Sequence, residues 1–299
     1  MTHDPVPAPS PGRRLADRLF SAVLYPLPHH LLSRLVGRVA RSTWPPLKDF
    51  LIQWFIHRYG VDMSLAQEPE PTAYPSFNDF FTRALREDAR PLSADPREIV
   101  CPVDGTLSQI GDIREGQMIQ AKGREFSLDQ LFGPENNCAE EYAGGRFATL
   151  YLSPGDYHRV HMPLAGMLRG MSLIPGRLFS VCPATARTVP RLYARNERLV
   201  TRYETEAGPM AVILVGAIFV GSMEAAWCGE VTPIQGKEVR RWRYGEHRLP
   251  VRLERGQELG RFNMGSTVIL LFGRDRMTWN QELAPGQGML LGQTIGRVA

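Results

Sequence analysis

The sequence predicts an α+β protein in which N-terminal amphipathic helices precede a mainly β domain of sandwich-like or barrel-like form. Two patterns support this class. Apolar residues within 13–60 recur at helical spacing, whereas from about residue 95 short apolar runs alternate with Gly, Pro and Asn. The chain has 299 residues, of which 43% are hydrophobic and 22% charged. This length and composition are ordinary for one large or two small folded domains.

The chain begins with a Pro-rich, polar stretch that we interpret as a disordered lead over residues 1–12. No uninterrupted apolar run follows it, so a secretory signal is not expected.

Residues 13–60 are predicted to form three short helices separated by prolines, and we assign them as an amphipathic membrane-contact region. The third helix has the clearest apolar stripe, which consists of Leu47, Phe50, Leu51, Trp54, Phe55 and Tyr59. Such a stripe commonly packs against its own domain. In this region, however, the apolar faces are interleaved with arginine and carry Trp44 and Trp54, which favours helices lying at an anionic membrane interface.

The basic charge of the chain is local. Residues 1–60 carry eight Arg or Lys against three Asp or Glu, a surplus of five, whereas the whole chain has a net charge of +4. The remainder is therefore close to neutral, and no nucleic-acid partner is expected.

The longest apolar stretch, residues 210–220, has 11 residues, fewer than the roughly 20 that a transmembrane helix needs. We interpret it as a buried strand and expect no membrane span. The four cysteines form no Cys-x-x-Cys pair, which favours reduced thiols in a cytosolic setting.

Residues 61–299 are assigned to the mainly β domain, with few helices. The predicted strands are Ile99–Val103, Phe147–Leu152, Ala211–Val220, Val268–Phe272 and Met289–Val298. The chain has no Gly-rich phosphate loop, and none of its three lysines lies in a pyridoxal-phosphate context. These observations argue against nucleotide and pyridoxal chemistry.

Three polar residues of this domain are candidates for chemistry. Asp104 lies in an Asp-Gly turn, where it could be merely structural. His158 and His161 are three residues apart between Pro154 and Pro163, too short a span for a comfortable helix. In an extended chain such positions face opposite sides, so we expect separate roles for the two histidines and no metal site.

The fourth candidate is Ser266, in the tripeptide Gly265-Ser266-Thr267 just before an apolar run. Glycine leaves its carbonyl sterically open, so the serine hydroxyl could attack the peptide bond that precedes it. A β-turn entering a buried strand is the alternative interpretation.

Asp104, His161 and Ser266 together have the residue types of a charge-oriented nucleophile, in which the acid orients the imidazole and the imidazole accepts the hydroxyl proton. A serine hydrolase with this triad and no self-cleavage stays open, although Ser266 lacks the Gly-x-Ser-x-Gly elbow. A non-catalytic β domain that docks on anionic membranes also stays open.

Several segments, in order along residues 13–299, resemble those of one family. They are Phe77-Asn78-Asp79-Phe80-Phe81-Thr82-Arg83, Ala89-Arg90-Pro91, Pro102-Val103-Asp104-Gly105, Tyr157-His158-Arg159-Val160-His161-Met162-Pro163, Ala194-Arg195-Asn196-Glu197-Arg198, Val215-Gly216-Ala217, Val220-Gly221-Ser222 and Gly265-Ser266-Thr267. Together they resemble the bacterial phosphatidylserine decarboxylases, a pyruvoyl-dependent family. One departure is Met264, where the family usually has leucine, an exchange that keeps volume and apolarity.

The resemblance implies that the chain is a zymogen that makes its own cofactor. Ser266 would attack the carbonyl of Gly265, with Asp104 and His161 completing the self-processing triad. Residue 266 would become a covalent pyruvoyl group after the chain divides into residues 1–265 and 266–299. The second product, of 34 residues, would complete the β domain and stay associated with the first.

The resemblance also implies the reaction. Phosphatidylserine would form a Schiff base with the pyruvoyl group, lose carbon dioxide and leave as phosphatidylethanolamine, in phospholipid biosynthesis. His158 would be the substrate acid/base, because an ordinary imidazole pKa suits proton transfer at neutral pH; a structural loop histidine is the alternative. The substrate would be met at the cytoplasmic side of the cell membrane, where the protein would be peripheral, and a homo-oligomer stays open.

Overall fold

The structure is a computed structural model. It describes residues 10–121, 123–219, 222–232, 238–245, 250–263 and 266–299. Most of the predicted lead over residues 1–12 lies outside these ranges, and the first helix begins at Pro11.

Seven α-helices occur in the described residues. They are α1 (Pro11–Leu24), α2 (His29–Ala40), α3 (Pro45–Tyr59), α4 (Phe77–Phe81), α5 (Leu128–Phe132), α6 (Pro183–Thr188) and α7 (Leu192–Arg195). Proline begins α1 and α3, where its missing N–H removes no intrahelical hydrogen bond. Gly60, with a positive φ of 65°, ends α3 in the left-handed conformation that glycine adopts without steric cost. Short 3₁₀ segments lie at Met63–Leu65, Pro71–Ala73 and Gly133–Tyr142.

The strands are shorter and more numerous. They are β1 (Glu98–Val100), β2 (Gly105–Asp112), β3 (Gln117–Ala121), β4 (Arg124–Ser127), β5 (Arg146–Leu152), β6 (Arg159–His161), β7 (Gly166–Ile174), β8 (Arg198–Thr205), β9 (Gly208–Val215), β10 (Met223–Ala225), β11 (Gly229–Glu230), β12 (Arg240–Arg243), β13 (Arg252–Leu253), β14 (Glu258–Phe262), β15 (Ser266–Phe272), β16 (Met277–Trp279), β17 (Gly288–Met289) and β18 (Thr294–Val298).

A nine-stranded antiparallel sheet forms the centre of the domain. Its order is β12-β7-β8-β9-β15-β5-β2-β17, with β13 also paired to β7. Strand β15 lies between β9 and β5, so that Ile269 is opposite Ile213 on one side and Thr149 on the other. All seven residues of β15 are buried, because both faces of the sheet are covered.

Alternation along β15 assigns its side chains to two cores. Val268 and Leu270 lie in a first core with Val160, Leu259 and Phe262. The last three belong to β6 and β14 of a four-stranded sheet, whose order is β11-β10-β14-β6. We call the side of the large sheet that faces this smaller sheet the inner face.

The opposite face of the large sheet is covered mainly by helices. Ile269 and Leu271 of β15 lie in a second core with residues of α5, α6 and α7, among them Leu131, Ala186 and Tyr193. We call this side the helix face.

The N-terminal helices attach to this domain through a few specific contacts. In α1, Asp17 forms an ion pair with Arg187 of α6 at 2.8 Å. In α3, Ile52 and Phe55 pack with the aromatic residues of α4 in a third core. Many large apolar side chains of these helices stay exposed, namely Leu15, Leu19, Phe20, Val23, Leu31, Leu35, Val39, Phe50 and Trp54.

The predicted α+β class, with N-terminal helices before a mainly β domain, is confirmed, and the large sheet is open and not a closed barrel. The predicted strand Val268–Phe272 is present as part of β15. The predicted strand Ala211–Val220 extends too far, since the observed strand β9 ends at Val215. Met289–Val298 is divided between β17 and β18.

Two findings bear on the expected setting. Within the described ranges, no helix is long and apolar enough to cross a membrane. The four cysteines, all of which lie in described segments, form no disulfide with one another.

Candidate active site

Ser266 is the first residue of the central strand β15. Its residue exposure is 1%, and its Oγ has no hydrogen-bond partner among the described residues. A buried hydroxyl without a partner costs free energy, so it is uncommon in folded proteins. By alternation Ser266 shares the inner face with Val268, whereas Thr267 faces the helices. Gly265, on the other side of the predicted cleavage position, and Met264 lie outside the described residues.

His158 lies just before β6 and is completely buried, with its ring 4.1 Å from that of Phe81. Its Nδ1 is 2.7 Å from the carbonyl oxygen of Asp156. Because a carbonyl only accepts, Nδ1 carries the proton and Nε2 has the lone pair. That Nε2 has no hydrogen-bond partner in the part of the chain that the structure describes. The backbone carbonyl of His158 accepts a hydrogen bond from Phe262, in the segment that leads to Ser266.

Burial lowers the pKa of His158 from 6.5 to about 3. The expectation of an imidazole that titrates near neutral pH is therefore wrong for this structure, because desolvation disfavours the charged ring. At neutral pH His158 is uncharged and presents a free basic nitrogen.

His161 ends β6 and has both ring nitrogens engaged. Nδ1 donates to the carbonyl oxygen of Gly256 at 2.7 Å, which leaves Nε2 to accept from the Tyr157 hydroxyl at 3.0 Å. Burial lowers the pKa of His161, and the Gly256 hydrogen bond opposes that shift. The ring is thus held in one tautomer with its lone pair directed at Tyr157.

Asp104 follows β1 in a turn and is paired with Arg90. The guanidinium donates two hydrogen bonds to its carboxylate, at 2.9 Å and 2.6 Å. The backbone N–H of Leu291 donates a third, at 2.8 Å. A bidentate pair of this kind fixes the carboxylate firmly and with defined geometry.

The structure does not join Asp104, His161 and Ser266 in a hydrogen-bonded chain, although all three lie in described segments. Asp104 and His161 are nevertheless in the same region. The backbone N–H of His161 donates to Pro102, two residues before Asp104. The Asp104 carboxylate also contributes a small upward influence on the pKa of His161. The roles of the three residues in processing stay predictions.

A polar cluster surrounds Asn263, two residues before Gly265. Its Nδ2 donates to Ser222 Oγ at 2.6 Å and to Glu224 Oε1 at 2.8 Å. Its Oδ1 accepts from Asn78 Nδ2 at 3.0 Å. Asn263 is 1% exposed, so this cluster anchors the chain close to the predicted cleavage position.

The segments that carry these residues are similar in sequence to known proteins. A sequence model described as phosphatidylserine decarboxylase matches residues 77–297, and one described as PSD matches residues 19–60. The first match includes Asp104, both histidines and Ser266. The chain belongs to the phosphatidylserine decarboxylase family. Its members are decarboxylases, which makes the chain an enzyme of that class.

Individual relatives agree with the family assignment. The chain is 54% identical over 286 residues to a phosphatidylserine decarboxylase proenzyme of Azotobacter vinelandii, a match that covers 95% of this chain and 100% of the relative. It is 56% identical over 280 residues to the proenzyme of Bordetella pertussis, covering 93% and 94%. It is 53% identical over 282 residues to the proenzyme of Pseudomonas aeruginosa strain LESB58, covering 93% and 96%.

Sequence reasoning gave no role to Arg90, Tyr157, Asn78 or Asn263, although each contacts a predicted site residue or lies near the cleavage position. Three of them belong to the segments that resemble the phosphatidylserine decarboxylases. Membership of those segments was the available signal, but the contacts themselves depend on the fold.

The residues around Ser266 fit the pyruvoyl group that the family implies. The group would be made from residue 266 itself, so no separate binding cavity is required. Besides Ser266 Oγ, two further buried atoms of the candidate site region lack partners among the described residues, namely Thr267 Oγ1 in β15 and His158 Nε2 before β6. Polar groups left unpaired in this way can serve a reaction. Within the described ranges, no group of three His, Cys, Asp or Glu is placed to hold a metal ion.

Proposed function

We propose that the chain decarboxylates phosphatidylserine to phosphatidylethanolamine, after it has cleaved itself between Gly265 and Ser266 to form a pyruvoyl group. The observation that supports this most directly is the buried, unpartnered hydroxyl of Ser266 at the start of a central strand. The relatives named above are proenzymes, which agrees with a precursor that must be processed.

The burial of Ser266 also separates this function from a serine hydrolase. An external substrate would have to reach a residue that is 1% exposed in the central sheet. The peptide carbonyl of the preceding residue is covalently adjacent and needs no access route. The same serine is therefore suited to attack its own chain and poorly suited to attack a foreign ester.

Processing would proceed in three balanced steps. Ser266 Oγ bonds to the Gly265 carbonyl carbon as the hydroxyl proton leaves, and the C–N bond breaks with protonation of the amine, which gives an ester. Loss of the Cα proton of residue 266 expels the Gly265 carboxylate and leaves a dehydroalanine. One water then replaces nitrogen as ammonia, and residue 266 ends as a ketone.

His161 is the proposed base for the first step, with Asp104 in support. Its neutral ring and Nε2 lone pair suit that role, but Nε2 accepts from Tyr157 in this structure. For His161 to receive the Ser266 proton, the Tyr157 hydroxyl must either carry that proton or move aside. Asp104 acts through the local field, since its oxygens are bound by Arg90 and Leu291.

His158 is the proposed substrate acid/base in the mature enzyme. The pyruvoyl carbonyl supplies an electron sink for the electron pair that remains when carbon dioxide leaves. The protein must then supply a proton to the substrate carbon. Nε2 of His158 is neutral and lacks a partner among the described residues. It can take up a proton released by the substrate amine only transiently and must pass it on to the substrate carbon, because the lowered pKa disfavours a resting imidazolium.

The N-terminal helices supply the proposed contact with the membrane, at its cytoplasmic side. Leu15 and Leu19 are each 60% exposed, Phe50 is 65% exposed and Trp54 is 51% exposed. In α2, the exposed residues Arg34 and Arg38 each precede an exposed apolar residue, Leu35 and Val39 respectively. Apolar faces flanked by arginine bind anionic lipid surfaces through burial and charge together, which suits peripheral binding to a membrane that contains the substrate.

The test is the intact mass of purified protein, combined with carbon dioxide release from vesicles that contain phosphatidylserine. We expect active wild-type protein to consist of two chains, the shorter being residues 266–299 with a keto terminus in place of the serine amine. Ser266→Ala should be a single chain near 33.6 kDa without activity. Wild-type protein that is active as one intact chain contradicts the proposal. Labelling of Ser266 by a fluorophosphonate would then favour the hydrolase.

A further inference from the structure

A large basic cavity lies on the helix face, outside the residues assigned to catalysis. Its volume is about 810 Å³, within the range of small-molecule sites. It is enclosed by α1, by strands β2–β4, by α6 and by the turn at Pro285-Gly286. Polar side chains of the large sheet, including Thr106, Ser108 and Gln109, contribute to its wall.

The charge of the cavity wall is strongly positive. Its arginines are Arg13, Arg14, Arg18, Arg124 and Arg187, and among the described lining residues Asp17 is the acidic one. Asp17 is already paired with Arg187 at 2.8 Å. The N-terminal turn of the 14-residue helix α1 contains no acidic residue and supplies Arg13 and Arg14 to the wall. The positive end of the helix dipole therefore adds to the positive potential of the cavity. Such a wall selects an anion.

The position of the cavity suggests the kind of anion. Helix α1, which supplies three of the arginines, also carries the exposed side chains of Leu15, Leu19 and Val23. When an amphipathic helix lies in a membrane interface, its apolar face reaches the acyl boundary and its basic side chains stay at headgroup level. The cavity would then open at the depth of the lipid phosphates.

The cavity also reaches the strand that carries Ser266. Tyr151 lines it, and in the sheet Tyr151 is paired with Thr267 on one side and Thr106 on the other. The next residue, Leu152, is paired with Ser266. The cavity therefore approaches residue 266 from the helix face.

We propose that this cavity binds the phosphodiester headgroup of an anionic glycerophospholipid. The proposal rests on the proposed membrane-bound function, and it adds a site at which lipid phosphate meets the N-terminal arginines. The lipid is either phosphatidylserine as substrate or a neighbouring anionic lipid. Both present the same phosphodiester to the arginines.

The test uses full-length Ser266→Ala protein, so that binding is measured without turnover. Calorimetry with monomeric dihexanoyl-phosphatidylserine, dihexanoyl-phosphatidylglycerol and inorganic phosphate gives the dissociation constants. The test variant adds Arg13→Gln and Arg18→Gln, both at exposed positions. The matched control adds Arg240→Gln and Arg243→Gln, which remove the same charge from β12 at the opposite edge of the large sheet.

We expect the test variant to bind the lipid at least tenfold more weakly and the control to change by less than twofold. Equal losses for both lipids assign the cavity to any anionic lipid, and a loss for phosphatidylserine alone assigns it to the substrate. Equal effects of the two double variants overturn the proposal, as does inorganic phosphate that binds as tightly as the lipids. Because no turnover is measured, a wild-type protein without decarboxylase activity would overturn the proposed function and leave this result independent.

Discussion

The N-terminal helices and the sheet domain break the usual distribution of apolar and polar side chains in opposite ways. Helices α1–α3 leave large apolar side chains in water, with Val23 63% and Phe50 65% exposed. The sheet domain buries polar groups that lack partners, with Ser266 at 1% and His158 at 0% exposure. Exposed apolar clusters commonly mark a binding surface, and unpaired buried polar atoms call for a functional explanation. Under the proposed function, the exposed apolar side chains of the helices would be covered by a lipid surface, and the unpaired polar groups of the sheet domain would take part in the reaction.

The largest expected effects are on chain cleavage and decarboxylation, and they come from substituting the two buried histidines of the sheet domain. His158→Gln should still cleave into two chains but lose decarboxylation by about 10²–10⁴-fold, the usual contribution of a general acid or base. His161→Gln should stay as one chain near 33.6 kDa. Denaturing gels and carbon dioxide release measure both. An unprocessed His158→Gln protein would show that the two roles are wrongly divided.

The next effect contrasts two phenylalanines of the same helix α3, in the Ser266→Ala background so that one chain unfolds. Phe55 is 4% exposed and packs with α4, so Phe55→Ala should lower the free energy of unfolding by about 3–5 kcal/mol. Phe50 is 65% exposed, so Phe50→Ala should change it by less than about 0.5 kcal/mol.

For membrane binding the order of the two variants should be reversed, with Phe50→Ala causing the larger loss. Burying one phenylalanine contributes about 1.5–3 kcal/mol, so loss of Phe50 should weaken binding to anionic vesicles by roughly tenfold or more. Sedimentation with vesicles measures this, alongside urea denaturation. Unchanged vesicle binding for Phe50→Ala would remove the helices from the proposed interface.

A smaller effect is the pH dependence of stability in the Ser266→Ala background. Burial lowers the pKa of His158 from 6.5 to about 3 and raises that of Glu197 from 4.5 to about 7. Between pH 3 and 6.5 the unfolded state binds the His158 proton that the folded state does not, so stability rises with pH. Between pH 4.5 and 7 the folded state keeps the Glu197 proton that the unfolded state releases, so stability falls.

The two slopes, each at most about 1.4 kcal/mol per pH unit, oppose one another between pH 4.5 and 6.5. Relative to the parent, His158→Gln should make stability decline more steeply as pH rises through that window. Glu197→Gln should make it increase more steeply. Urea denaturation at pH 4.5, 5.5 and 6.5 measures both differences. Parallel curves for parent and variants would contradict the inferred cost of burying these groups.

The smallest effect concerns Tyr157, whose hydroxyl donates to His161 Nε2 at 3.0 Å. Tyr157→Phe should lower the free energy of unfolding by about 1 kcal/mol, the typical contribution of one hydrogen bond. It should also slow processing, since the ring of His161 loses an orienting contact. A time course of chain cleavage after synthesis measures the rate. Faster cleavage would show instead that Tyr157 competes with Ser266 for the imidazole.

Local patterns in the sequence were sufficient for the strand β15 and for the candidate residues, but not for their partners. The run Val268–Phe272 is wholly apolar and begins with two β-branched residues, so its burial as a strand follows from composition. The hydrogen bond between Asn78 and Asn263 joins residues 185 positions apart. Nothing in either local segment specifies the other, because that pairing is set by the docking of α4 beside β14.

Helix α3 shows the same limit on a smaller scale. The apolar stripe predicted as one face is divided, with Phe55 buried and Phe50 and Trp54 exposed. The spacing of apolar residues in the sequence predicts how wide the apolar face of the helix is. Which part of that face is buried depends on where α4 lies. The prediction of an ordinary imidazole pKa for His158 was wrong for a related reason. The burial that lowers this pKa is a property of the fold and not of the motif.

The central position of β15 has a consequence for the cleaved protein. The shorter product would contribute this strand between β9 and β5, and β18 between β1 and β16, so it could separate only if the whole domain opened. Once opened, the two pieces would have to meet again by diffusion, and recovery would depend on concentration. After heat or denaturant, activity of the cleaved protein should therefore recover less completely the more dilute it is, whereas the uncut precursor retains a unimolecular route back to its native state.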